Sequence, residues 1–156
     1  MLILICGLPG TGKSTIARYI RDKINAMVLR TDVIRKDTIK NPKYSEEEKN
    51  KVYEELFGMA EEALKNGKNV IIDGTFFKKS LRERIVKIAN GKGMKIIECT
   101  SPEEVIRERI SGGRKDESDA DFKIYEKIRK QWEPVEEDHI ILDTSGDWKK
   151  EIDSIF

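Results

Sequence analysis

The residues best suited to chemistry come early. Gly7-Leu8-Pro9-Gly10-Thr11-Gly12-Lys13-Ser14 has the spacing G-x-x-x-x-G-K-[ST], with the apolar run Leu2-Ile3-Leu4-Ile5-Cys6 before it and Thr15-Ile16-Ala17-Arg18-Tyr19-Ile20 after it. Strand, glycine loop and helix are the context that gives this spacing a physical meaning. Glycine reaches backbone conformations closed to other residues, so successive N–H groups can turn inward around an anion. A helix starting near Lys13 adds unsatisfied N–H groups and the positive end of its dipole. Lys13 would then reach the β- and γ-phosphates of a nucleoside triphosphate, and the Ser14 hydroxyl would ligate Mg²⁺. Gly7, Leu8, Pro9, Gly10, Thr11, Gly12, Lys13, Ser14 and Thr15 are the expected contacts of ATP.

Three further groups could complete phosphoryl transfer. Asp73 closes the apolar run V-I-I-D, the form of a Walker B acid that would hold Mg²⁺ beside Ser14. Gly74 follows it where a water-activating ATPase would usually carry glutamate, which favours a hydroxyl acceptor over water. Asp32 and Arg35, in T-D-V-I-R, stand three residues apart and share one side of a helix. A carboxylate there could take the proton of an attacking hydroxyl, and the arginine could hold an anionic acceptor; capping of the helix by Asp32 is the plainer alternative. Arg107, Arg109 and Arg114 bracket Gly112-Gly113, so an arginine on a glycine-hinged flap could neutralise charge on the transferring group. Arg114 is the expected lid arginine and Arg109 the expected nucleotide contact, while Arg107 could instead pair with Glu103 or Glu104. Arg82 and Arg84, with Lys78 and Lys79 nearby, could contact an acceptor. Phe76 and Phe77 read more readily as core or lid packing than as a stacking platform.

These residues need elements to position them. Met1 to Cys6 reads as a strand buried on both faces. A helix from Lys13 to Ile24 carries Ile16, Ile20 and Ile24 on one stripe. Strands follow at 26–30, 68–73, 94–99 and 139–143. Helices lie between them: one opening at Ser45-Glu46-Glu47-Glu48 and running to Lys65, one over 78–90, and one opening at Ser101-Pro102. A polar stretch over 111–121, a helix over 120–131 and a closing helix over 147–156 complete the pattern. Strands alternating with helices predict an α/β doubly wound parallel sheet, with ligands beyond the carboxyl ends of the strands.

At 156 residues the chain suits one domain, 1–156, with the lid at about 111–134. Charged residues make up 38% but nearly cancel, at a net charge of +1, so any nucleic-acid site must be a local basic patch. No run of about 18 apolar residues spans a membrane, and the N-terminal run lacks the basic leader of a signal peptide. Cys6 and Cys99 are the only cysteines and end apolar runs, as buried residues in a reducing, cytoplasmic compartment would. His139 stands alone, which excludes a histidine-based metal cluster.

Taken together, G-L-P-G-T-G-K-S, T-D-V-I-R, V-I-I-D-G-T-F, P-E-E-V-I-R-E-R-I and W-E-P resemble the small P-loop kinases grouped with the kinase domain of polynucleotide 5′-hydroxyl kinases. The likeness spans nearly the whole chain. It implies a three-layer P-loop NTPase fold, a five-stranded parallel sheet in the order 2-3-1-4-5 and a helical lid. It also implies ATP and Mg²⁺ held by Lys13 and Ser14, Asp32 as general base, Arg35 at the acceptor and Arg114 on the lid. The implied reaction moves the γ-phosphate to a hydroxyl, with a polynucleotide 5′-hydroxyl or nucleoside-like acceptor expected first and a small sugar, polyol or antibiotic second. The chain stops at Phe156 with no phosphatase or tRNA-binding domain attached, which speaks against a tRNA-dependent kinase. A nucleotide-binding switch or ATPase with no acceptor is the reading of another class.

Overall fold

The structure, a computed structural model, describes every residue except Tyr44, Gly113 and Arg114, and the backbone alone over 115–120. The chain runs β1 (Leu2–Cys6), α1 (Lys13–Ile24), β2 (Ala26–Arg30), α2 (Thr31–Thr38), α3 (Glu46–Lys65), β3 (Asn69–Asp73), α4 (Lys79–Ala89), β4 (Met94–Thr100), α5 (Glu103–Ser111), α6 (Lys115–Gln131), β5 (Ile140–Asp143) and α7 (Trp148–Ile155). The five strands form one parallel sheet in the order β2-β3-β1-β4-β5, as the resemblance implies.

The alternation of side chains along each strand builds two cores. Leu2, Leu4 and Cys6 of β1 face one way with Val70, Ile72 and Ile96, against Leu56, Phe57 and Ala60 of α3 and Ile85 of α4. Ile3 and Ile5 face the other way with Ile71, Ile97 and Leu142, against Ile16, Ala17 and Ile20 of α1 and Ile152 of α7. Both faces of β1 are covered, which is why its sequence is an unbroken apolar run rather than an alternating one. Every residue of β1 is 0% exposed.

A third, smaller cluster lies over the mouth of the sheet. Ile106 of α5 packs with Phe122 and Tyr125 of α6, and with Leu8 and Ile110. Leu8 belongs to the glycine loop, so the α5–α6 pair rests directly on it.

One boundary differs from expectation. The polar stretch predicted over 111–121 gives way to helix at Lys115, about one turn before Ala120. The sequence over 115–119 is polar throughout and carries no apolar stripe, the signal by which a helix start is read.

Candidate functional site

The parallel register gathers the carboxyl ends of β1, β2 and β3. Ile5 pairs with Asp73, and Arg30 pairs with the same Asp73 from the other side. The loop after β1, the start of α1, the start of α2 and the end of β3 therefore open onto one space.

The loop has the form its glycines require. Gly10 and Gly12 adopt φ of +80° and +81°, the left-handed region that favours glycine. Gly7 is fixed by crowding: at φ +147°, a Cβ there would stand 2.5 Å from the Cys99 carbonyl oxygen. Gly12 caps α1 without any side-chain hydrogen bond, and no acidic residue sits in the first turn. The first N–H groups of α1 are thus neither capped by a side chain nor neutralised, which is what a phosphate needs. The contrast within the chain is sharp: α3 begins with the Ser45 side chain accepting from Glu48 N and three glutamates in its first turn.

Lys13 donates from Nζ to the Leu8 carbonyl at 2.9 Å, folding across the loop it belongs to. Burial pushes its pKa below the usual lysine value, and nearby Asp73 opposes that shift. Thr11 Oγ1 donates to the same Leu8 carbonyl at 2.7 Å.

Ser14 Oγ donates to Asp73 Oδ2 at 3.0 Å. Asp73 is 4% exposed. Burial raises its pKa above the ordinary carboxylate value, against the pull of the Ser14 hydrogen bond, Lys13 and Arg30, while Asp32 adds to the rise. A hydroxyl and a carboxylate side by side are hard oxygen donors. They fit Mg²⁺, which takes one or two protein ligands and completes its shell with phosphate oxygens and water. Among the described residues no cluster of three or more His, Cys, Asp or Glu could hold a metal by itself.

Asp32 lies in the first turn of α2, immediately after β2. Its Oδ1 accepts from Val33 N at 3.0 Å, and its side chain is 60% exposed. Arg30 joins the two carboxylates: Nη2 lies 3.2 Å from Asp32 Oδ2, and Nε lies 3.3 Å from Asp73 Oδ2. Arg35, one turn further along α2, is half-buried near Tyr53 of α3, whose phenol is pushed up by burial and pulled back by Arg35.

At the other end of the loop, Arg109 of α5 donates from Nη1 to the Gly10 carbonyl at 3.2 Å and to Thr144 Oγ1 at 3.0 Å, and from Nη2 to the Thr144 carbonyl at 3.1 Å. Thr144 Oγ1 in turn donates to the Thr11 carbonyl at 2.7 Å. Arg109 and Thr144 hold the loop by its carbonyls, while of its N–H groups Gly7 N donates to the Thr75 carbonyl and Thr11 N to the Leu8 carbonyl, each at 3.4 Å.

The remaining arginines separate. Arg114 lies outside the described residues. Arg107 stacks its guanidinium 3.8 Å from the centre of the Phe122 ring rather than pairing with Glu103 or Glu104. Arg82, expected near an acceptor, is 0% exposed and donates to the carbonyls of Phe76, Glu133 and Pro134 at 2.7, 2.7 and 2.9 Å. Arg84 pairs with Glu54 on the surface. Phe76 is 2% exposed, in agreement with the packing role expected of it. Sequence reasoning passed over Arg30. Its signal was a guanidinium closing a strand two residues before Asp32, a position that becomes informative only once β2 is known to pair with β3.

Comparisons with known proteins agree with this architecture. Over 93% of its length the chain is 30% identical to an uncharacterized protein of Mycobacterium tuberculosis, of which it spans 32%, about a third of that protein's length. It is 26% identical over 154 residues to a probable adenylyl-sulfate kinase of Aeropyrum pernix, covering 94% of this chain and 84% of that one. The structure superposes on the Mycobacterium tuberculosis APS kinase CysC, solved with AMPPNP and APS, with a TM-score of 0.71 over 99% of this chain and 94% of that one, at 16% identity. Residues 2–135 match the family described as an AAA domain. That match takes in most of the chain, glycine loop included, and the chain belongs to that family.

Proposed function

We propose that the chain is an ATP- and Mg²⁺-dependent kinase that transfers the γ-phosphate to a hydroxyl acceptor. The observation that carries this reading is the bridge made by Arg30, which brings Asp32 of α2 beside the Ser14–Asp73 pair at the mouth of the glycine loop. A water-activating ATPase would usually carry its second carboxylate directly after Asp73, where this chain has Gly74; here the second carboxylate is Asp32, brought in from α2.

In this reading Gly7 to Thr15 cradle the triphosphate, with N–H groups of the loop and of the first turn of α1 turned toward it. Lys13 leaves the Leu8 carbonyl for the β- and γ-phosphates. Ser14 and Asp73 hold Mg²⁺, which when bound neutralises charge on the β- and γ-oxygens. Asp32 accepts the proton as the acceptor oxygen bonds to the γ-phosphorus and the bond to the ADP oxygen breaks. Arg35 holds the acceptor, Arg109 contacts the nucleotide, and Arg114 closes on the phosphates. Residues 1–156 act as one kinase domain, with 111–134 as the lid.

Two acceptor classes remain in play, and different observations favour them. The motif likeness to polynucleotide 5′-hydroxyl kinases favours a polynucleotide or nucleoside-like acceptor. The probable adenylyl-sulfate kinase among its relatives favours a small molecule. A screen with γ-labelled ATP against 5′-hydroxyl oligonucleotides, nucleosides, sugars and aminoglycosides separates them. The kinase reading expects Asp32→Asn to abolish transfer while ATP affinity stays within a few-fold, and Lys13→Ala to abolish both. Label released only as inorganic phosphate, at a rate indifferent to every acceptor and to Asp32→Asn, would instead identify an ATPase.

A further inference from the structure

A cleft of about 180 Å³ opens on the flank of α1, running from Ser14 and Asp73 outward between α1, the end of β2 and the start of α2. Its walls are of two kinds. Ala17, Val28 and Val33 give it an apolar floor, and Arg18, Arg21 and Arg30 give it three guanidinium groups against the single carboxylate of Asp73. The positions follow from helix geometry. Ser14, Arg18 and Arg21 are spaced by four and three residues, so they form one row along α1. At the helical rise, Arg18 stands about 6 Å and Arg21 about 10 Å along the axis from Ser14.

The packing of α1 does not require these arginines. That helix is anchored by Ile16, Ala17 and Ile20, while Arg18 and Arg21 are exposed. Arg18 makes no hydrogen bond or ion pair among the described residues. Arg21 bonds only its neighbour Asp22, with both side chains well exposed at 45% and 69%. Arg30 spends Nε and one terminal nitrogen on Asp73 and Asp32. Val33, on the rim, is 46% exposed although it is apolar. An apolar wall with unspent guanidinium groups suits a ligand that has a carbon framework and an anionic end.

We propose that this cleft is an anion subsite of the acceptor. It takes a phosphate or sulfate that the acceptor already carries, at about the length of one sugar ring from the hydroxyl to be phosphorylated. Arg18 and Arg21 hold the anion, Val28 and Val33 pack against the ring, and Asp32 faces the hydroxyl end. The proposal rests on the kinase reading for its second half only, because the anion site is a matter of direct binding.

The test has two arms. In the first, protein saturated with AMPPNP and Mg²⁺, so that the glycine loop is filled, is titrated with inorganic phosphate. The arginine Nε–Hε resonances are followed by NMR. Shifts at Arg18, Arg21 and Arg30 that disappear from the remaining arginine in the double variant Arg18→Ala/Arg21→Ala are the expected result; no shift, or shifts elsewhere only, overturns the subsite. In the second arm, transfer from ATP is compared for ribose against ribose 5-phosphate and for adenosine against adenosine 3′-phosphate. The phosphorylated member is expected to be favoured roughly tenfold or more in kcat/KM, as loss of a charge-assisted hydrogen bond implies, and the double variant to lose that preference. Transfer without preference overturns the subsite and leaves the kinase reading standing. Phosphate binding at the three arginines with no transfer to any hydroxyl upholds the anion site and overturns the kinase reading. Circular dichroism of the double variant guards against loss of the fold.

Discussion

Because Asp73 is buried at the end of a central strand, its carboxylate loses hydration that Ser14, Lys13 and Arg30 replace only in part, and its pKa rises. A carboxyl with a raised native pKa binds its proton more tightly folded than unfolded. Its charge therefore costs nothing well below the ordinary value of 3.8 and costs stability once pH exceeds the raised native value. Asp73→Asn is expected to melt a few degrees higher than the wild type at neutral pH without nucleotide, with the gap closing as pH falls towards the ordinary carboxylate range. Mg²⁺ with ATP should reverse the order by stabilising only the wild type. A wild type that melts higher at neutral pH without ligand would refute the first half. Lys13, Ser14 and Asp73 were legible in the sequence because each sits within a short motif whose spacing is fixed by local backbone geometry. Arg30 was not, since its partners are set by strand pairing between distant segments. Arg82 misled for a related reason: a guanidinium that satisfies three backbone carbonyls leaves no mark in sequence to distinguish it from one reaching for an acceptor.

Among the elements, the glycine loop and the α5–α6 pair depend on one another. Leu8 packs into the cluster of Ile106, Phe122 and Tyr125, and a Cβ on Gly10 would stand 2.9 Å from Ile106. Gly7 faces a backbone carbonyl that has nowhere to go. Gly7→Ala is expected to lower unfolding stability by roughly 2–4 kcal/mol in a urea titration, combining conformational strain with overpacking. Gly67→Ala, also at positive φ but with nothing within 4 Å, should cost only about 1 kcal/mol. Equal losses at the two positions would show that the contact with Cys99 does not matter. Arg109→Ala releases the Gly10 and Thr144 carbonyls together, and roughly a tenfold loss of ATP affinity is expected by calorimetry. The strands and most helices were readable from apolar runs and caps. The start of α6 was not, because its first turns are polar throughout and lack the period that marks a buried face.

For the molecule as a whole, Arg82 ties distant parts of the chain, joining the loop after β3 to the Glu133-Pro134 segment beyond α6. Arg82→Met would leave buried carbonyls without donors, and a loss of roughly 3 kcal/mol or more is expected, again by urea titration. A surface arginine such as Arg84, replaced likewise, should lose less than about 1 kcal/mol. The sheet order β2-β3-β1-β4-β5 has one more effect. β1, the middle strand of the sheet, leaves the ribosome ahead of both its neighbours, β3 and β4, which start at Asn69 and Met94. Until both emerge, Leu2-Ile3-Leu4-Ile5-Cys6 is an apolar ribbon with two unpaired edges, open to self-association. Folding during synthesis is thus expected to wait for β4, and nascent chains arrested before it should remain protease-sensitive and bind chaperones that capture extended apolar segments. The placement that sets the glycine loop at the heart of the sheet makes β1 the strand that waits longest for its partners.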